Sequence, residues 1–444
     1  MIGKERVLDI LKNVISLSSA DQTEALFMGE ESYLTGFANN YIHRNVGGKD
    51  CSLSVRVAIG KNVGSAMVNS FSEEAVKKVV QDAILIAKNQ RENPDFVSFA
   101  KPEKRKDKDF FVEATANCTP EFRAEYVSKI LSKTKAKGFI GSGKFETNVL
   151  EVAVANSLGV ERYTKLTIST LKSVVLTDTS SGYSEYSSTD VNKIPLDDII
   201  RESVEIAERS QNPVSIEPRK YEVILTPYAL ADLIGSLSYI ALNARAMNEG
   251  MSFLIGQIGK KVVGENITMY DDGFSQETIS LPFDFEGVPK KKVMFFDKGV
   301  AKGVVYDTLS AYKEGKKSTG HSLPQPNPYS PYPMNLIMEG GESSKEKMIS
   351  HVKKGLYVQR FWYTNPMDPR NTVITGMTRD GLFLIENGKI TKPVKNMRFI
   401  QNIATVLNNV LELSKERKII YDMASVTAPY ARIKDFTFTG KTEF

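Results

Sequence analysis

Histidine and cysteine are scarce in this 444-residue chain, with three of the former, two of the latter and a single tryptophan. His43, His321 and His351 stand far apart, and no two sit at i, i+3 or i, i+4, so no helix carries the paired imidazoles of a catalytic zinc motif. Cys51 and Cys118 lie in unrelated segments without C-x-x-C spacing, which predicts two reduced thiols rather than a redox or zinc site. No run approaches the ~20 apolar residues of a membrane span, and the opening MIGKERVLDILK breaks its apolar residues with charge, so a soluble cytoplasmic protein without a membrane partner is expected. An excess of one charge is lacking too. Fifty-eight basic against 53 acidic residues leave +5, spread over many segments, and the absence of a basic helix or aromatic–basic stripe disfavours nucleic acid as a partner.

What is present reads as a globular protein: 41% apolar and 25% charged residues, over a length that predicts two domains. In residues 4–18, Val7, Leu8, Leu11, Val14 and Ile15 share a helical face. Leu53, Val55, Val57 and Ile59 alternate as in a half-buried strand, and a helix follows Ser72, so the chain is expected to open α, β, α. The run Lys101–Asp109, within 93–119, reads as a charged surface connection. A third helix is expected after Thr119-Pro120-Glu121, then strands near 150–155 and 166–178, then a helix from Pro195 to about Ser210. Residues 211–218, with two prolines and no periodicity, mark a boundary between domains 1–212 and 213–444.

The second half is expected to be β-rich, after a strand at Tyr221–Leu225 and a helix that Thr226 caps and Pro227 begins. Leu230, Leu233, Ile234, Leu237, Ile240 and Ala241 make that helix buried or interfacial, with an apolar stripe that could serve a dimer. Asn387-Gly388 predicts a tight hairpin. A helix is expected from roughly Ile400 to Glu416, and a last strand near Ile433–Phe438. Five prolines between Pro324 and Pro333 impose an extended loop of the kind that lines sites.

The candidate chemistry is thin. Gly138-Phe-Ile-Gly-Ser-Gly-Lys144 matches the phosphate-binding G-x-x-x-x-G-K, but Phe145 stands where the magnesium-binding hydroxyl should be and a strand, not a helix, is expected to follow. Ser132–Lys135 and Ser344–Lys347 match S-x-x-K, in settings that would not lower a lysine pKa. His321, at the mouth of the proline loop, reads as a solvated loop histidine, with a catalytic role as the alternative. Phe361–Pro369 and Thr375-Gly-Met-Thr-Arg379 are the most distinctive stretches. Glycine and small polar residues interrupting the latter strand would leave backbone groups open for an added peptide strand; a kinked core strand with Arg379 and Asp380 paired is the alternative.

With these residues the sequence resembles the TldD/PmbA family, named for modulation of DNA gyrase and associated with cytoplasmic peptide processing. The likeness rests on Arg56-Val, Ala155-Asn-Ser-Leu-Gly159, Gly250-Met-Ser-Phe-Leu254, Ile258-Gly259, Asp271-Asp272, Ser318-Thr-Gly320, the Thr375–Gly388 block, Asn396-Met-Arg-Phe399 and Asp435–Gly440. It implies an α+β protein, an N-terminal α/β domain followed by a β-rich C-terminal domain, and pairing into dimers that enclose a cavity. TldD-like chains of the family carry H-E-x-x-x-H and a distant cysteine ligand, whereas PmbA-like (TldE) chains lack both and pair with a TldD-like partner. Counted back from Ser252, the motif positions here are Gly235, Ser236 and Ile240, and Tyr421–Val426 holds no cysteine. The resemblance therefore implies the metal-free, non-catalytic subunit of a metallopeptidase complex acting on extended peptides, with no metal, no cofactor and no catalytic residue of its own. Asn365, Asp368, Thr375, Arg379, Asp380 and His321 are the candidates for substrate or interface contact. A stand-alone peptidase or a gyrase regulator would be the alternatives.

Overall fold

The computed structural model describes residues 1–104 and 108–442. Its first half is a six-stranded antiparallel sheet in the order β3-β2-β1-β4-β5-β6, formed by β1 (Gln22–Ala38), β2 (Tyr41–Ile59), β3 (Asn62–Val68), β4 (Ile140–Asn156), β5 (Glu161–Leu176) and β6 (Ser181–Ser188). Side chains alternate across these strands. Ala25 and Phe27 of β1 face helices Lys4–Leu17 and Glu73–Asn89, while Phe145 and Leu171 meet Pro120–Ala136 and Leu196–Arg209. Leu26, Val152 and Val154 point the other way, onto Phe283, Phe285 and Val288 from the second half.

The opening differs from the α, β, α expectation, because three strands separate the first two long helices. Residues 41–50 of β2 are exposed throughout, so the first half of that hairpin lacks the apolar alternation that betrays a strand. The connection at 93–119 is also no mere surface excursion. Phe96, Phe99 and Phe110 are buried, and Phe110 bridges Leu166 of β5; residues 105–107 of the charged run lie outside the described residues. The Gly138–Lys144 stretch runs through a turn into β4, so no helix N-terminus stands there to cradle a phosphate. Cys51 and Cys118 are free.

The second half holds an 11-stranded sheet. Five of its strands close on themselves: β7 (Lys220–Leu225) pairs with Lys354–Asp368, that with Val373–Glu386, then Met397–Asn402, then Ser425–Lys441, which returns to β7. Phe361, Phe399 and Phe436 fill the enclosed core, with Phe361 and Phe399 ring centroids 4.5 Å apart. Asn387 and Gly388, at φ 50° and 77°, make the tight turn expected of them, since only residues tolerant of the left-handed region suit it.

The helix expected over Ile400–Glu416 is confined to Ile403–Asn408, capped by the Asn402 side chain accepting from the Thr405 amide at 2.7 Å. Met397–Asn402 and Val410–Tyr421 on either side are strands. Their pairing with neighbours outweighs the helical spacing of Ile403, Leu407 and Val410, and Leu411, expected inside, is exposed. Among the described residues no helix is long and apolar enough to cross a membrane.

A buried charge group fastens the two halves. Arg56 on β2 donates to Glu24 on β1 at 2.9 Å and to Glu286 of the second half at 3.1 Å. All three side chains are nearly inaccessible, and Glu24 Oε2 has no hydrogen-bond partner among the described residues. Burial, offset in part by Arg56 and aided by the nearby Glu286 carboxylate, pushes Glu24 up from 4.5 to about 7. The folded state therefore holds a proton that the unfolded chain releases, so this contribution to stability is complete below pH 4.5 and is lost as pH rises to about 7. Thermal unfolding across that window should show a falling melting temperature in the wild type and a flatter profile in Glu24→Gln; equal slopes would refute the assignment.

Candidate functional site

Pro227–Ala241 is buried nearly all round, with 11 of its 15 residues inaccessible. The apolar stripe expected to serve a dimer is thus absorbed by the chain's own core. Thr226 does not cap through its side chain; the hydroxyl donates instead to the carbonyl of Gln359, tying the helix start to the neighbouring strand. The face of the helix that does reach solvent carries Asp232, Gly235 and Ser236, and these open on a cleft of about 350 Å³.

Strand Lys354–Asp368 supplies the opposite wall through Arg360, Phe361, Trp362 and Tyr363. The turn Asp422–Ala424, between the paired residues Tyr421 and Ser425, closes one end. Tyr332 enters from the proline loop, and Lys172, Tyr183 and Glu185 come from β5 and β6. The cleft is therefore shared by both halves of the chain.

Most of its polar groups are already committed. Glu185 is held by Lys172 at 2.9 Å. Behind it, Glu202 receives Lys418 at 2.8 Å, the Ser184 hydroxyl at 2.8 Å and the Tyr228 hydroxyl at 3.0 Å. Burial pushes Glu202 up, but Lys418 and these donors outweigh it and hold the carboxyl below its ordinary value. Asp232 accepts from Thr364, yet burial leaves its carboxyl above the usual range. Arg360 lies 4.0 Å over the Tyr183 ring while pairing with Asp380 at 2.5 Å, so it is pinned from two sides.

This donor set does not fit a metal ion. Gly235 offers no ligand atom and Ser236 only a neutral hydroxyl, and among the described residues no three His, Cys, Asp or Glu side chains converge. Ile240, the third motif position, is buried and lines a separate hollow beside Tyr239. No hydrolytic step is assigned to this chain's cleft.

Residues 218–440 match the PmbA/TldA metallopeptidase C-terminal domain, and residues 23–87 match PmbA/TldA metallopeptidase domain 1. The chain belongs to the PmbA/TldD metallopeptidase family. An uncharacterized protein of Methanocaldococcus jannaschii is 26% identical over 405 residues, 88% of this chain and 91% of that one. Metalloprotease PmbA of Escherichia coli O157:H7 is 24% identical over 385 residues, 83% and 81% of the two chains. The fold matches that of TldE from Thermococcus kodakarensis with a TM-score of 0.89 at 22% identity, over 98% of this chain and 100% of the other. At the motif positions Gly235, Ser236 and Ile240 this family member lacks the H-E-x-x-x-H ligands.

The candidate residues named from sequence are scattered over the PmbA/TldD fold. Arg379 and Asp380 lie together, in a second cavity behind the cleft wall. Asn365 is exposed on the strand that forms the wall. Asp368 caps the short turn Pro369–Asn371, and Thr375 donates to the Phe399 carbonyl at 3.0 Å. Asp380 is buried, accepting from Arg360 and from Ser181 of β6; its pairing with Arg379 is looser, at 3.9 Å. The open strand expected at Thr375–Arg379 is absent, since residues 373–377 pair with 398–402 and residues 373–379 with 360–368. Among the described residues, no edge is left for a peptide from 373 to 377.

His321 is not a solvated loop residue. It is fully buried, with Nε2 2.9 Å from Asp271 and Nδ1 3.0 Å from the Thr319 hydroxyl, and burial pushes its pKa down. Sequence reasoning missed Trp362 and Tyr363 as individual residues although it singled out their stretch. Exposed aromatics beside two prolines were the signal. Lys172 and Glu185 gave none, because only the β5–β6 pairing brings them together.

A Cβ added at Gly235 would meet nothing within 4 Å, so the glycine sits mid-helix without a packing reason. Gly235→Ala should raise stability by about 0.5–1 kcal/mol through helix propensity alone, read as a higher denaturant midpoint at unchanged slope; destabilisation would mean the cleft is closed at that point.

Proposed function

We propose that this chain is the metal-free subunit of a two-component TldD/TldE-type metallopeptidase of the cytoplasm, and that it holds extended or unfolded peptides against the metal of a TldD-like partner. The observation that carries this reading is the cleft itself. It lies where the metal-motif positions Gly235 and Ser236 meet the Asp422–Ala424 turn, has no ligand set, and is rimmed by Trp362, Tyr363 and Met423, which are 45%, 75% and 79% exposed. Large apolar side chains gathered at one mouth are the mark of a surface that meets another chain.

Tyr363 adds a second supporting feature, for its φ of 56° is an unfavourable conformation for an aromatic residue, and such strain persists where surroundings impose it and concentrates at functional sites. In this reading domain 213–444 gives the helix and strand walls, domain 1–212 adds Lys172, Tyr183 and Glu185, and Asn365 beside Tyr363 joins the contact surface. The same rim supports homodimer formation when the partner is missing. Positioning a scissile bond is worth several kcal/mol, up to ~7–11 in the best-oriented cases, so a subunit with no reacting group still governs rate.

The test is a peptidase assay on an unstructured peptide. The isolated chain should be inactive and should raise the turnover of a TldD-like chain, and Tyr363→Ala should cut that stimulation about tenfold, equivalent to ~1.4 kcal/mol, with an unchanged melting temperature. Cleavage by the isolated wild type at the rate of the mixture, in the presence of chelator, would overturn the proposal.

A further inference from the structure

Behind the Arg360–Trp362 wall lies a second cavity of about 530 Å³, bounded by β5, β6 and the helix end at Ser210 on one side and by residues 377–382 and 394–396 on the other. Its chemistry differs from that of the aromatic cleft. Arg379 and Lys395 bring two cations, whereas the Asp380 carboxylate is neutralised by Arg360 at 2.5 Å, leaving Asp178 as the acid that offsets them. Hydroxyls line the cavity as well, those of Ser180, Ser181 and Thr378 already donating to the Ala207 carbonyl, Asp380 and Asn396. Ser210, by contrast, is buried and its Oγ has no hydrogen-bond partner among the described residues, which is costly unless a ligand or water supplies one. Leu176, Leu382 and Val394 give an apolar floor.

We infer that this cavity binds the free carboxylate end of a short peptide. Arg379 presents the planar fork that suits a carboxylate, Lys395 adds a point charge, the Ser210 hydroxyl serves a peptide amide, and the apolar floor takes a side chain. The guanidinium of Arg379 also stacks 4.9 Å from the Trp362 ring, so occupancy on one side of the wall is felt on the aromatic cleft on the other. This inference needs no partner chain, and its failure would leave the proposed subunit role standing.

Trp362 is the chain's single tryptophan, which makes its emission an intrinsic reporter of Arg379. The experiment titrates the purified chain with N-acetyl-Ala-Ala-Leu as the free acid, as its C-terminal amide, and with inorganic phosphate, followed by tryptophan fluorescence and calorimetry. The acid should bind saturably with one site per chain and the amide about tenfold more weakly or worse. Arg379→Gln and Lys395→Gln should each weaken the acid about tenfold without lowering the melting temperature, both being surface cations. Met67→Ala, an exposed change on β3, should leave this binding unchanged. Equal affinity for acid and amide, no saturable binding, displacement by phosphate at matching affinity, or undiminished binding in Arg379→Gln would each overturn the assignment.

Discussion

The fold depends on one packing event, the docking of residues 281–288 on the face of the first sheet that its helices leave bare. Leu26, Val152 and Val154 would otherwise be an apolar surface in water, and at roughly 25 cal/mol per Å² such a face cannot stay uncovered in a stable protein. Phe283, Phe285 and Val288 cover it, and the same segment delivers Glu286 to Arg56. A buried cation with two carboxylates is a weak source of net stability but a strict one of geometry, because any other arrangement leaves charge unpaired in a dry interior. Both the aromatic cleft and the cationic cavity lie where the halves meet, and their walls are in register only while this joint holds.

Asp380 performs a comparable duty nearer the cleft. By taking a hydrogen bond from Ser181 of the first half while holding Arg360 of the second, it fixes the guanidinium that Tyr183 and Trp362 flank. The aromatic rim is thereby given a rigid back, and side chains that look free on the surface are anchored from behind. The carboxylate's value to the site is indirect, through the orientation of Arg360.

Much of this architecture was legible in the sequence. The amphipathic helices near the start, the caps at Ser72 and Thr119, the Asn387-Gly388 turn and the α+β character all follow from local rules. What failed was long-range. Val410 and Leu411 continued a helical spacing that ends at Asn408 because the following strand finds its partner in Ala431–Ile433, and no window of local sequence contains that information. His321 looked solvated because glycine and prolines surround it, whereas Asp271, fifty positions earlier, draws it into the interior. The candidate cleft was half legible: Gly235, Ser236 and the cysteine-free turn were located by resemblance, but their meeting with β5 and β6 belongs to the three-dimensional fold alone.

The closed ring of strands carries a cost during synthesis. Leu225 pairs with Val358 on one side and Ala431 on the other, so a strand made early waits for roughly two hundred residues before the ring can close, and loop closure over that distance is slow. Until Lys354–Asp368 and then Ser425–Lys441 arrive, the edges of Lys220–Leu225 are open to other nascent chains. The protein is thus open to mispairing less as a finished molecule than as an unfinished one, over the interval between the first and last β-strands of its second half.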